Sequence, residues 1–372
     1  MCWVRTAPAA ISNGVRPGHQ RCGPNSSSSA RKRRRSRALV GSSGGPGGAD
    51  GVIGLILLAQ ALTVSVSGPP SSLEYLPVHV AESRGLFAAE GLDVTLRTAR
   101  ADSLAAEMLA QGQADVAVTS LVAMLRFGPR LEHQGPVVVF GLTAAPPVAL
   151  LASTSAGAPV AAVAGLAGRR VGVAAPGVAE QVWLAGVLAA AGLKPTRVDV
   201  VSLGSRRVAT AIESGSVDAG LVHEPAASAL LADGRARLLA DFRSPDAVRR
   251  ALGGLTVNAA AFVQAHRAPE DAVLAAFGRA LLAARRLLVE TPAGTLAATL
   301  PQPLVGNPEE FPRRLAAGRE LWLSDGLVTP ERLRRTIGLI RAHTPLPETL
   351  RLPAAEDMLR IPVTGRDRPA PR

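Results

Sequence analysis

From residue 62 onward, short runs of β-branched residues alternate with Ala/Leu-rich windows of helical period. This βαβα order predicts parallel sheet with helices on both faces. Residues 62–66 (LTVSV) read as a first strand, 77–90 as a helix stopped at Gly91, and 92–96 as the next strand. A helix over 104–111 ends at Gly112, and Asp115 opens the strand DVAV. Residues 137–140 and 148–151 are apolar throughout, the pattern of strands buried on both faces.

After Ser153 the sequence loosens into STSAGAPVAAVAG and then repeats its grammar, with a strand at 170–173, a helix over 178–191 ended by Gly192, and a strand at 198–201. EMLAQGQAD (107–115) recurs as TAIESGSVD (210–218), and both place Asp three residues after Gly. Two related α/β lobes in tandem are expected. The last section is helical. Residues 270–290 put Val273, Phe277, Leu281, Ala284 and Leu288 on one stripe, and Thr329 caps a helix that starts at Pro330 and buries Leu333, Ile337 and Ile340. Between them and the second lobe, 253–263 reads as a strand returning to the first lobe. The expected organisation is a leader and signal segment over 1–61, lobe one from 62–153 and 257–345, lobe two from 154–256, and a loosely held Pro/Arg-rich tail over 346–372.

Composition narrows the function classes. A chain of 372 residues suits two domains, and 47% hydrophobic residues against 19% charged excludes disorder for most of it. The net charge of +12 points to nucleic acid until it is located: residues 1–50 carry nine basic groups against Asp50, so +8 resides there and only +4 in the rest. No nucleic-acid partner is expected. Behind that basic stretch, which is expected to be disordered, the apolar run 52–61 ends in Ala59-Gln60-Ala61, the order of an export signal cut after Ala61. The Sec and twin-arginine routes both fit, the latter through Arg33, Arg34 and Arg35, and a basic tail followed by a buried strand is the alternative. Cys2 and Cys22 are the only cysteines. No lipid anchor, disulfide, thiolate metal site or cysteine nucleophile is therefore expected downstream. Gly41-Ser42-Ser43-Gly44-Gly45 spells a hydrolase elbow, but in low-complexity sequence without a flanking strand or helix. The six histidines show no metal-ligand spacing, so neither metal nor cofactor is expected.

Four phrases taken in order, LPVHVAESRGLFAAEGLDVTL (76–96), EMLAQGQADVAVTS (107–120), LAGRRVGVAAPG (166–177) and IESGSVDAGLVHEPA (212–226), resemble the nitrate/sulfonate/taurine-type periplasmic substrate-binding proteins of ABC transporters, over about 62–345. The resemblance implies a two-lobed α/β Venus-flytrap fold with a helical C-terminal section, a small organic or anionic ligand between the lobes, and no catalysis. It also implies an exported periplasmic protein, expected to be a monomer, that docks on an ABC permease with its ATPase and meets the membrane only through them. A sensing or orphan binding protein without a transporter is the alternative. A pyrimidine-synthase-like enzyme is a more distant one, whose cysteine-rich segment has no counterpart here.

Open α/β sheets bind ligands beyond the carboxyl ends of their strands. That rule marks Thr119 and Ser120, whose hydroxyls can cap a helix or hold a ligand, and Leu142, a ligand contact or core residue. The resemblance adds Tyr75, in a loop where the family commonly touches ligand, and Gly177 and Val178. At Val178 and Ala179 hydroxyl residues common in the family are missing, which leaves backbone N–H groups alone to hold an anion and speaks against tightly bound sulfonate or nitrate. His223 and Glu224 follow the strand VDAGLV, although Glu224 can simply favour the helix dipole. Ser120 stands five residues after Asp115 and His223 five after Asp218. Thr119 and Ser120 are therefore expected to face His223 and Glu224 across the cleft, where an ionised Glu224 would favour a ligand with a donor or cationic group.

Overall fold

The computed structural model describes residues 60–130, 135–175, 179–344 and 350–360. In chain order its strands are β1 (Gln60–Ser67), β2 (Leu92–Ala99), β3 (Val116–Ser120), β4 (Pro136–Gly141), β5 (Val148–Ser153), β6 (Arg170–Val173), β7 (Asp199–Ser202), β8 (Ala219–His223), β9 (Ala236–Asp241) and β10 (Ala259–Gln264). They form two five-stranded sheets of orders β2-β1-β3-β10-β4 and β7-β6-β8-β5-β9. In the first, β1 is parallel to β2 and β3, whereas β10 runs antiparallel to β3 and β4. The second repeats this plan with β6 parallel to β7 and β8, and β5 antiparallel to β8 and β9.

The sequence repeat has a structural cause. Asp115 accepts from the Thr63 N–H through Oδ2 at 2.8 Å, and Asp218 accepts from the Arg170 N–H in the same way at 2.9 Å. Each Asp N–H donates back to the carbonyl of the same residue, Thr63 or Arg170. A carboxylate three residues after a left-handed glycine, Gly112 or Gly215, thus pairs the backbone of the sheet's central parallel strand, at Thr63 within β1 and at Arg170 where β6 begins.

Several expectations need correction. β5, counted with the first lobe, is hydrogen-bonded between β8 and β9, so the first crossing is 142–147 rather than 153–160. An apolar strand carries no mark of the sheet that receives it. The helix read over 77–90 divides into Leu76–Ser83 and Leu86–Ala89, because Gly85 adopts a left-handed φ of 64°. The C-terminal helix Pro330–His343 does start under the Thr329 cap, whose side chain accepts from the Arg332 N–H. However, it packs against the second-lobe helix Ala179–Ala190; Leu339 lies over Gly186, where the missing side chain lets the two helices approach. Residues 350–360 are not loose. Ala355 and Met358 are buried, and the Arg360 N–H donates to Val138 O at 3.1 Å.

The second crossing, 253–258, runs beside the first. Leu142 and Thr143 N–H both donate to Ala259 O, Asn258 N–H donates to Thr143 O at 2.9 Å, and Thr256 Oγ1 donates to Ala144 O at 2.6 Å. In lobe one the helix Asp271–Glu290 buries the stripe read from sequence, with Phe277 stacked on Phe87 at 5.2 Å between ring centroids. Of that stripe Val273, Phe277, Leu281 and Leu288 each contribute about 1.5–3 kcal/mol of burial. Among the described residues no helix is long and apolar enough to cross a membrane. The basic leader and the apolar run up to Ala59 lie outside the described residues, while Gln60 and Ala61 are the exposed first residues of β1.

Candidate functional site

The carboxyl ends of the strands converge where the lobes meet. A cavity of about 440 Å³ opens there, and its wall includes Glu74, Asp102, Ser120, Arg126, Glu180 and Asn258. Each is placed by local structure. Glu74 lies on the loop after β1, and Asp102 opens the helix Asp102–Ala110. Ser120 ends β3 and caps the helix Leu121–Phe127, its Oγ accepting from the Ala123 N–H at 3.3 Å. Glu180 sits in the first turn of the helix Ala179–Ala190, and Asn258 on the second crossing just before β10.

The wall is acidic. Burial first, and then the charges of Asp102 and Glu180, push the Glu74 carboxyl well above its ordinary pKa, against the hydrogen bond it accepts from Asn258 Nδ2 at 2.5 Å. Glu180 Oε1 lies 2.5 Å from His223 Nε2. Burial works against the imidazolium, yet the hydrogen bond to Glu180 and its charge outweigh burial and hold the His223 pKa above the ordinary value. Two buried acceptors of this wall, Glu180 Oε2 and Asn258 Oδ1, have no hydrogen-bond partner among the described residues.

The residues singled out from sequence separate. Ser120 lines the cavity. Thr119 beside it is fully buried, accepting from Ser67 Oγ at 2.8 Å and donating to Asp102 O at 3.0 Å, so its hydroxyl is spent inside lobe one. Tyr75 is buried too, and its hydroxyl donates to Asp102 Oδ1 at 3.3 Å, which makes it a support behind the wall. Leu142 is core, with its N–H on Ala259 O. Gly177 and Val178 lie outside the described residues.

His223 and Glu224 line a second cavity, of about 430 Å³, together with Ser205, Arg206 and Arg314. Glu224 is drawn to Arg243 at 2.6 Å and Ser228 Oγ at 2.8 Å, and Asp241 holds the same guanidinium at 2.8 Å. That ion-pair cluster explains why Glu224 and Ser120 do not share a cavity wall; it is Glu180 that stands with Ser120. Sequence reasoning missed Glu74, Asp102, Arg126, Glu180 and Asn258. A first-turn acid such as Glu180 reads as a helix-dipole residue, and nothing local marks Asn258 as lining a cleft.

A family model described as NMT1/THI5 like matches residues 72–293, more than half of the chain and all six of these wall residues. The chain belongs to the NMT1/THI5-like family. No curated protein matches its sequence. Among solved structures, this NMT1/THI5-like chain is similar to a protein of Bordetella bronchiseptica RB50 at 23% identity and TM-score 0.62, over 81% of this chain and 94% of that one. The periplasmic aliphatic sulphonate-binding protein SsuA of Escherichia coli matches at 19% identity and TM-score 0.60, over 78% and 95%. The alkanesulfonate-binding SsuA of Xanthomonas axonopodis pv. citri, solved with MOPS bound, matches at 20% and 0.58, over 81% and 98%. The two-lobed periplasmic-binding-protein fold with its helical C-terminal section, which the sequence resemblance implied, is thereby borne out for this NMT1/THI5-like protein.

Proposed function

We propose that the protein is the solute-binding subunit of an ABC importer, which captures a small solute between its lobes outside the cytoplasm and presents it to a permease driven by an ATPase. The observation that carries this reading is the cavity at the junction of two topologically equivalent sheets, walled from both lobes and containing buried polar atoms without partners. Pockets of this size and place bind small molecules. Two short crossings provide the means of closure, since a hinge needs only a few residues to change their dihedral angles. The reading involves capture and release, with no chemical step.

A thermal-shift screen of small solutes, namely sulfonates, carboxylates, nitrate, amines and aromatic compounds, tests it. A solute present at a hundred times its Kd stabilises the folded state by about 2.7 kcal/mol. At least one class should do so and should also compact the protein in solution scattering. A screen without any stabilising compound, with coincident scattering curves, would remove the reading. Export is a separate arm. Cleavage after Ala61 would remove only Gln60 and Ala61 from β1, and N-terminal sequencing of the secreted protein should begin at Leu62.

A further inference from the structure

The cavity wall is unevenly furnished. Among the described residues that line it, three carboxyl groups, Glu74, Asp102 and Glu180, face one guanidinium, that of Arg126, which lies 5.1 Å over the Phe127 ring. Glu180 and Asn258 are 8% and 1% exposed, so both are built into the wall rather than resting on it. Their unpartnered atoms, Glu180 Oε2 and Asn258 Oδ1, are acceptors. The amide cannot turn its donor end to the cavity without giving up the bond from Asn258 Nδ2 to Glu74 Oε1. Likewise, Glu180 Oε1 is already committed to His223. Among the described residues, what these two buried side chains lack is a donor.

We propose that this cavity takes a small organic cation, an amine or amidinium, whose N–H groups donate to Glu180 Oε2 and Asn258 Oδ1. The proposal rests on the solute-capture reading and narrows its substrate class. A sulfonate offers oxygens that only accept. It would leave both buried acceptors unmatched and set its own charge against Asp102 and Glu180. An ammonium or amidinium supplies at least two N–H groups and a charge of the opposite sign. The charges of Asp102 and Glu180, which after burial itself hinder ionisation of Glu74, point the same way, because a cation beside the three carboxyl groups relieves their mutual repulsion.

The test uses the full chain and two size-matched pairs of probes, butylamine with butanesulfonate and benzamidine with benzenesulfonate, in thermal shift followed by calorimetry. Butylamine or benzamidine should bind and the sulfonates should not. For the cation that binds, Glu180→Gln and Asn258→Ala should each weaken affinity by about ten- to a hundred-fold. Should either variant fail to fold by circular dichroism, Glu74→Gln, which removes a carboxyl group of the same wall, supplies the same reading. Sulfonate binding without cation binding would overturn the proposal and leave the solute-capture reading standing. Cation binding unchanged in the folded variants would overturn it as well, by placing the cation elsewhere. Silence from both probe classes overturns it too, and extends to solute capture only if the wider screen is also silent.

Discussion

The two lobes share a skeleton and differ at the strand ends. Asp115 and Asp218 do the same work, each pairing the backbone of a central parallel strand. Five residues on, the likeness stops. In lobe one the end of β3 is neutral and satisfied from within, with Ser67 donating to Thr119 and Ser120 capping a helix. In lobe two the end of β8 is ionic, with His223 on Glu180 and Glu224 on Arg243. The repeat therefore keeps what the backbone needs and leaves the ends of β3 and β8, which face cavities at the lobe junction, to vary. A residue's place in the repeat fixes its position but not its chemistry.

The strongest way to sharpen that comparison is through the paired glycines. Gly112 and Gly215 both have φ of 68°, where a side chain costs about 1–2 kcal/mol. A Cβ on Gly215 would also lie 2.8 Å from the carbonyl carbon and oxygen of Ser155, while on Gly112 it would meet the end of the Arg267 side chain, which can swing aside. Overpacking against backbone adds about 1–3 kcal/mol. Gly215→Ala should thus lose about 2–5 kcal/mol and Gly112→Ala only about 1–2 kcal/mol in urea melts. Equal losses would mean that the second lobe yields at Ser155.

A second contrast lies in two buried histidines. Burial lowers the His79 pKa to about 4, and its Nε2 has no partner. His223 is raised instead, because Glu180 outweighs burial. His79 is neutral in the fold, whereas the unfolded chain takes up a proton near pH 6.5. Its contribution is therefore intact above that pH and lost as pH falls toward 4, about 3 kcal/mol in all. The His223 contribution has the opposite sign: it is fully present below pH 6.5 and lost as pH rises through the raised folded value. Acid should accordingly lower hydrogen-exchange protection factors in lobe one, and base those in lobe two. His79→Leu should remove the acid-side loss seen in wild type, and Glu180→Gln the base-side loss. If wild type and His79→Leu lose stability in parallel between pH 6.5 and 4, His79 is not the group responsible.

How much of this the sequence carried depends on the range of the interaction. The Gly-x-x-Asp repeat, the Thr329 cap and the stripe from Val273 to Leu288 are local patterns, and each was legible and correctly placed. The sheet that receives β5 and the lobe that receives the helix Pro330–His343 are set by partners far along the chain, such as His223 opposite Val148 and the Val257 N–H on Thr336 Oγ1. The cavity wall fared the same way. Ser120 was found because strand ends line clefts, but Glu74, Glu180 and Asn258 come from a loop, a helix start and a crossing that meet only on folding. Glu224 was misjudged for a related reason: Arg243, which claims it, lies 19 residues away on a different element.

The smallest expected effect decides what Ser120 is for. Its Oγ caps the helix Leu121–Phe127 in lobe one as the Ser244 Oγ caps Pro245–Leu252 in lobe two, but only Ser120 also lines the cavity. Replacing a capping serine by alanine costs about 1 kcal/mol, and by glycine only a few tenths. Ser120→Ala and Ser244→Ala should therefore both lose about 1 kcal/mol, and Ser120→Gly should regain most of it although it has no hydroxyl. Since the cap already engages Oγ and the unmatched atoms of the wall are acceptors on Glu180 and Asn258, solute affinity in Ser120→Gly should match wild type. Calorimetry with the solute that stabilises the protein checks this. A Ser120→Gly protein that keeps its stability but binds about tenfold more weakly would move the hydroxyl from the scaffold of lobe one to the ligand, and the two strand ends would then both carry chemistry.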